Sequence, residues 1–329
     1  MELKKTRKSF LYIGSCFSVI IIVLFIMFTL MNEKQRYGLS NSVSISPNDD
    51  RIVFSYFQKD IASIYSAKVD GTNVKRLTFP NEESHMNPIY SPDGSKILFL
   101  LYPKKHFSYI CLMDADGTNI RPIKNIKQNE IIEGIFSPDG QTIYFIMGNR
   151  IFEDRMVDLD IYSIGVDGTN FTRLSNIDSF QMSDLSITSD GKRLLFYSFH
   201  QDKEQFYFLN LDSKRIQAFN PEGNFDEQIF SNPKISPDNK WLAFSAVPGN
   251  WKRGNFEYEL FVMDFQNRKS RQLTHLKSSV EEPSFFHTEQ KILFIHDQNW
   301  TKSPAKYEIM EINLNGSGLR KIELDLSEF

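Results

Sequence analysis

The residues of this chain with the most chemical promise are carboxylates set beside glycines. "MDADGTNIRPI", Met113 to Ile123, gathers Asp114, Asp116, Thr118 and Asn119 around Gly117, and near-copies start at Lys68 ("KVDGTNVKRLT") and Gly165 ("GVDGTNFTRLS"). Such oxygen-rich strings could hold calcium. A calcium loop needs D-x-D-x-D-G spacing and a glutamate at its twelfth position. "DADGTN" departs from that spacing, and no such glutamate follows. As a hairpin the string makes sense, because aspartate accepts backbone N–H bonds and glycine supplies the positive φ that closes the turn. The strings SPDG at Ser91 and Ser137, "SPNDD" at Ser46, "TSDG" at Thr188 and "SPDN" at Ser236 read as turns for the same reason.

Other chemistry is thinly represented. No G-x-S-x-G elbow or H-E-x-x-H pair occurs, and the six histidines (His85, His106, His200, His275, His287, His296) show no metal spacing. The expectation is no catalytic residue, no metal and no cofactor. Cys16 and Cys111 are the only cysteines, so no disulfide framework is implied.

The elements that carry these turns repeat. Each SPDG-type start is followed by an apolar triplet ending in phenylalanine, at Phe54, Phe99, Phe145, Phe196 and Phe244. A degenerate sixth copy, "FHTEQKILF", ends at Phe294. A second register is independent of the first. Seven residues after Asp70, Asp116, Asp167, Asp212, Gln266 and Asn315 stand Leu77, Ile123, Leu174, Phe219, Leu273 and Ile322. Each unit reads as four short strands bounded by Gly, Pro, Asn and Asp, and that pattern at a period of 40–50 residues marks a propeller blade.

The pattern "P-x-x-SPDG-x-x-I-x-F … IY-x-x-D-x-DGTN-x-x-x-LT" resembles the repeat of TolB-type β-propellers over almost everything after residue 40. The resemblance implies a six-bladed, all-β propeller of four-stranded antiparallel blades. It leaves function open, because the same repeat serves transport scaffolds, lyases and the propeller halves of peptidases. TolB proper carries an α/β domain ahead of its propeller, a place taken here by an apolar segment and a short linker.

The repeat register names candidate sites. Four residues before each SPDG-type start lie Ser42, Asn87, Glu133, Asp184, Asn232 and Glu282. If the first strand of each blade is innermost, these six ring the mouth of the central channel. Like-placed acids around an axis would favour a cation or an amine, although a channel mouth is wet and needs polar residues anyway. The same rim carries long loops in blades 3, 5 and 6: "GNRIFEDRMVDLD", "PGNWKRGNFEYE" and "DQNWTKSPAKYE". Trp251, Trp300, Arg253, Tyr258, Arg150, Phe152, Arg155 and Tyr102 make this rim the expected recognition surface, since Trp, Tyr and Arg dominate contact energies. Tryptophans folded back over blade edges are the plainer alternative.

Phe10 to Met31 is an apolar run without a charge, long enough to cross a bilayer, and Lys4, Lys5, Arg7 and Lys8 precede it. The expected organisation is a cytoplasmic tail (1–9), a signal anchor (10–31), a linker (32–40) and an extracytoplasmic propeller (41–329), its blades starting near 42, 87, 133, 184, 232 and 282. Secretion after signal-peptide cleavage is the alternative. A net charge of −3 with no basic block argues against a nucleic-acid partner. The best reading is a monomeric, membrane-anchored, non-catalytic binding module for an envelope protein, peptide or glycan. The rival is a lyase or glycosidase using Glu133, Asp184 and Glu282, with His85 or His275.

Overall fold

The protein is described by a computed structural model that covers residues 35–104, 107–126, 130–152, 155–200, 203–249 and 256–327. Tyr37–Phe329 forms one compact unit of six four-stranded antiparallel sheets, each with its strands in chain order. The first strands are β1 (Gly38–Ile45), β5 (Ser84–Tyr90), β9 (Ile131–Phe136), β13 (Met182–Ile187), β17 (Phe225–Ile235) and β21 (Ser279–Phe285). They line a central channel, as the register required. β1 begins at Gly38, inside the stretch read as linker. The apolar run 10–31 lies outside the described residues, among which no helix is long and apolar enough to cross a membrane.

Packing explains the repeat. Phe54, Phe99, Phe145, Phe196, Phe244 and Phe294 are each fully buried, and Leu77, Ile123, Leu174, Leu273 and Ile322 are buried against them from the outer strands. Phe219, the blade 4 counterpart, is only half-buried. Six apolar clusters result, one between each pair of neighbouring blades. A blade has two apolar faces and cannot bury both alone, which is why the ring must close.

The turns behave as turn chemistry predicts. In the DGTN hairpins Asp116 Oδ1 accepts from Thr118 N at 2.9 Å and from its hydroxyl at 2.6 Å, and Asp70 and Asp167 do the same. These bonds hold all three carboxyls below the usual range. Gly117 has φ +92°, and a Cβ there would lie 2.8 Å from the Leu77 carbonyl oxygen of the preceding blade. The hairpin is therefore an inter-blade contact. In the SPDG turns the buried serine accepts from the strand that follows, as Ser91 Oγ does from Lys96 N at 2.9 Å.

The ring closes without a swapped strand. Blade 6 ends with β24 (Arg320–Ile322), and the tail after it reaches blade 1 through Asp325 N to Gly71 O at 3.1 Å. Blade 6 lacks an SPDG turn, and Asp49 of blade 1 supplies the missing carboxylate. It accepts from His287 N at 2.8 Å and from Thr288 N at 2.7 Å.

Candidate functional site

Every inner strand carries a register irregularity near its entry to the channel. Asn87, Asp184, Asn232 and Glu282 sit there with φ between +47° and +65°. Part of the polar ring therefore has a backbone cause, because Asn and Asp tolerate left-handed geometry better than other side chains. Glu282 has no such excuse. A glutamate at positive φ costs about 1 kcal/mol, and it persists only where its surroundings hold it.

The geometry draws four of the six mouth residues into one network. Asn232 donates from its amide nitrogen to Asp184 Oδ1 at 3.1 Å and to Glu282 Oε1 at 3.3 Å. The Leu185 N–H donates to Glu133 Oε1, tying blade 3 to blade 4. Ser42 and Asn87 line the same channel. A cation does stand beside these acids, and the chain itself supplies it. Lys234 stands two residues past Asn232, where the other blades have Ser44, Ile89, Ile135, Ser186 and Ser284. Its Nζ lies 3.9 Å from Glu282 Oε2 and donates to the Leu185 carbonyl at 3.3 Å. That lone lysine in the repeat alignment was a readable signal, which the carboxylate ring overshadowed.

Lys234 and Glu282 keep 24% and 28% of their side-chain surface, and both line the channel, so that surface meets confined rather than bulk solvent. Burial pushes Glu133 up to about 8 and Glu282 up to about 7. Lys234 pulls both down, while the charge of Asp184 pushes both up. Burial opposes the Lys234 ammonium too, but Glu282, Glu133 and Asp184 outweigh it and hold the lysine above its usual range. Near neutral pH Glu133 and Glu282 are therefore both partly protonated. Below it, the channel encloses about 390 Å³ between apolar inner strands and the prolines of the SPDG turns.

Above the ring opens a second pocket of about 610 Å³, between blades 4, 5 and 6. Tyr197, Phe230, Phe256 and Tyr258 wall it, and Asp184, Glu204, Glu281 and Glu282 line it. Asn41 and Glu282 border both cavities.

The rim residues divide. Tyr258 belongs to the mouth pocket, and Phe256 beside it is 44% exposed. Tyr102 packs instead against the blade 2–3 core, and burial, with Glu130 and Glu133 nearby, pushes its hydroxyl up to about 12. Trp300 is half-buried in a turn that Asp297 fastens through Asn299 N and Lys306 N, both at 2.8 Å, and it does not line the mouth pocket. Blade 3 has no long loop. Its strands continue as a hairpin, Thr142–Phe152 against Arg155–Gly165, paired from Thr142↔Gly165 to Phe152↔Arg155. Arg150, Phe152 and Arg155 lie on that extension, which the polar interruptions in "GNRIFEDRMVDLD" disguised as loop. Trp251 and Arg253 lie outside the described residues.

Among the described residues the histidines do not converge. His85 is buried against Phe99, with ring centroids 5.0 Å apart, and His275 meets Gln272 at 3.0 Å. Among the described residues no group of three or more His, Cys, Asp and Glu is placed to hold a metal. Ser278, His296 and Glu308 do form a chain, with Ser278 Oγ 2.7 Å from Nε2 and Glu308 3.5 Å from Nδ1. Ser278 is buried within the connection from blade 5 to blade 6, so the chain reads as a fastening.

Comparison with solved structures agrees with this architecture. TolB from Acinetobacter baumannii superposes with a TM-score of 0.64 at 19% identity, over 85% of this chain and 62% of that one. The chain folds as a TolB-type β-propeller. It thus spans less than two thirds of that TolB's length. An oligogalacturonate lyase in complex with manganese matches at TM-score 0.57 and 14% identity, over 85% of this chain and 78% of the lyase. A puromycin hydrolase matches at 0.59 and 11%, over 88% and 54%. At such identities the likeness concerns the fold, which scaffolds and enzymes share. No family model and no curated protein matches the sequence.

Proposed function

We propose that the chain is a non-catalytic binding module, held at the membrane by residues 10–31, that presents its long-loop face outside the cell to a protein, peptide or glycan of the envelope. The ectodomain acts as a monomer, without a cofactor or a nucleic-acid partner. One observation carries the reading: the aromatic-walled mouth pocket of about 610 Å³ opens on the face with the non-uniform loops, away from the stereotyped DGTN hairpins. Pockets of this size with a few convergent polar groups are the usual form of a recognition site. Pull-down from envelope extract tests it, comparing the native chain with a variant carrying alanine at Trp251, Arg253, Phe256 and Trp300. The variant should lose its principal partner. Retention of every captured partner would remove this face from consideration.

A second reading has its own observation. Raised carboxyls such as Glu133 and Glu282 are what acid–base catalysis requires near neutral pH. It is the weaker one, because both carboxyls already face Lys234. Thermal-shift screening with divalent ions and uronate oligosaccharides separates the two. Stabilisation by either, lost in Glu133→Gln, would favour an enzyme.

A further inference from the structure

We infer that the mouth pocket receives the cationic side chain, arginine or lysine, of an extended peptide with apolar neighbours. The inference rests on the binding-module reading and names its ligand. Four carboxylates line the pocket, Asp184, Glu204, Glu281 and Glu282, and no Lys, Arg or His does so among the described residues. Neutral donors aim them. Tyr197 Oη donates to Glu204 at 2.9 Å, Ser279 Oγ to Glu281 at 2.9 Å, Asn41 Nδ2 to Glu281 at 3.3 Å and Ser183 Oγ to Asp184 at 2.8 Å. Such bonds orient the oxygens and leave their charge uncancelled. Lys234 pairs with Glu282 from the channel below, at 3.9 Å, and does not itself line this pocket, so Glu204 and Glu281 supply its free negative charge.

The pocket walls supply the second half of the chemistry. Aromatic faces beside carboxylates stabilise an ammonium or a guanidinium, because the ring quadrupole and the anion attract the same charge. Tyr197 and Tyr258 feel that field. Burial raises both hydroxyls; Glu204 raises Tyr197 further, with Asp184, and Glu281 and Glu204 raise Tyr258 further. A free amine would need nothing more. The same rim, however, exposes Phe256 by 44% and Phe180 by 56%, and Phe180 adjoins Gln181 of the pocket lining. Phe256 in the pocket wall and exposed Phe180, next in the chain to lining residue Gln181, suit a peptide that carries apolar residues beside its cation.

Calorimetry on the full chain in detergent tests this with three probes: a blocked Gly-Phe-Arg-Phe-Gly peptide, the same peptide with glutamate in place of arginine, and spermidine. The arginine peptide should bind, the glutamate peptide should not, and added salt should weaken binding. The double variant Glu204→Gln, Glu281→Gln should keep its melting temperature and bind about tenfold more weakly, as loss of two partly desolvated ion contacts implies. Phe180→Ala should weaken the peptide several-fold and leave spermidine unchanged. Equal binding of both peptides, or an unaffected double variant, overturns the inference. Spermidine binding as tightly as the peptide, with no effect of Phe180→Ala, overturns the peptide as the source. If the envelope partner is captured but ignores the double variant, this inference fails while the module stands. If the arginine peptide binds but the alanine variant at Trp251, Arg253, Phe256 and Trp300 still captures every partner, the failure belongs to the module reading.

Discussion

Replacing Lys234 with methionine should destabilise the propeller in a pH-dependent way. The substitution keeps the side chain's length, removes the donor to the Leu185 carbonyl, and leaves Glu133, Glu282 and Asp184 without their cation. Breaking a buried ion pair costs about 3–5 kcal/mol, and access to the channel lowers this to about 2–4 kcal/mol at pH 8. At pH 5 the balance differs. Glu133 and Glu282 have folded pKa values near 8 and 7 against an ordinary 4.5, so both bind more protons folded than unfolded. Their contribution to stability is full below pH 4.5 and is lost as pH rises through 7 to 8. With Glu133 and Glu282 neutral at pH 5, the lysine faces two fewer charges, Asp184 alone remaining of the three, and its removal should cost about 1 kcal/mol. Melting curves should then show a drop of about 4–8 °C at pH 8 and about 2 °C or less at pH 5. The variant Glu133→Gln, Glu282→Gln should abolish the difference. An equal loss at both pH values, or a gain at pH 8, would refute the electrostatic account.

Two further substitutions probe the scaffold. Asp49→Ala removes the buried carboxylate that clasps His287 N and Thr288 N, and should cost about 1–2 kcal/mol in urea denaturation. An effect below about 0.5 kcal/mol would mean that the ring closes by apolar packing alone. Gly117→Ala meets both a positive φ and a backbone oxygen 2.8 Å away, and should cost about 2–4 kcal/mol. Gly38→Ala, at φ +116° with open space around it, should lose only about 1 kcal/mol, so equal effects would exclude the inter-blade contact as the cause.

The fold was legible because its signals are local and repeated. A buried phenylalanine at a constant place after each SPDG turn, and an apolar residue seven positions past each hairpin start, mark the two faces of a blade wherever it occurs. The site was legible only in outline. The mouth positions were found by register, but their left-handed backbone was not, because a bulge leaves no periodic trace. The hairpin of blade 3 was hidden by charged residues that a strand standing clear of the core tolerates. Tyr102 and Trp300 were grouped with the rim by sequence, but Tyr102 packs on the blade 2–3 core and Trp300 stays out of the mouth pocket, since loop sequence carries no direction.

The sequence alone determined how many blades there are, where each turns, and that polar groups crowd one end of the channel. These properties depend on turn chemistry and on spacing within about fifty residues. Tertiary structure decided what the polar groups mean. Asp49 reaches a turn 238 residues away, Asn232 joins carboxylates 48 and 50 residues off on either side, and Lys234 meets them only because the ring closes. The strength of those charges depends on how much water remains beside them, which burial sets and no spacing records. The DGTN aspartates, the most metal-like residues of the chain, proved to be exposed turn caps. The carboxylates of the channel mouth stand across the ring, gathered around a lysine.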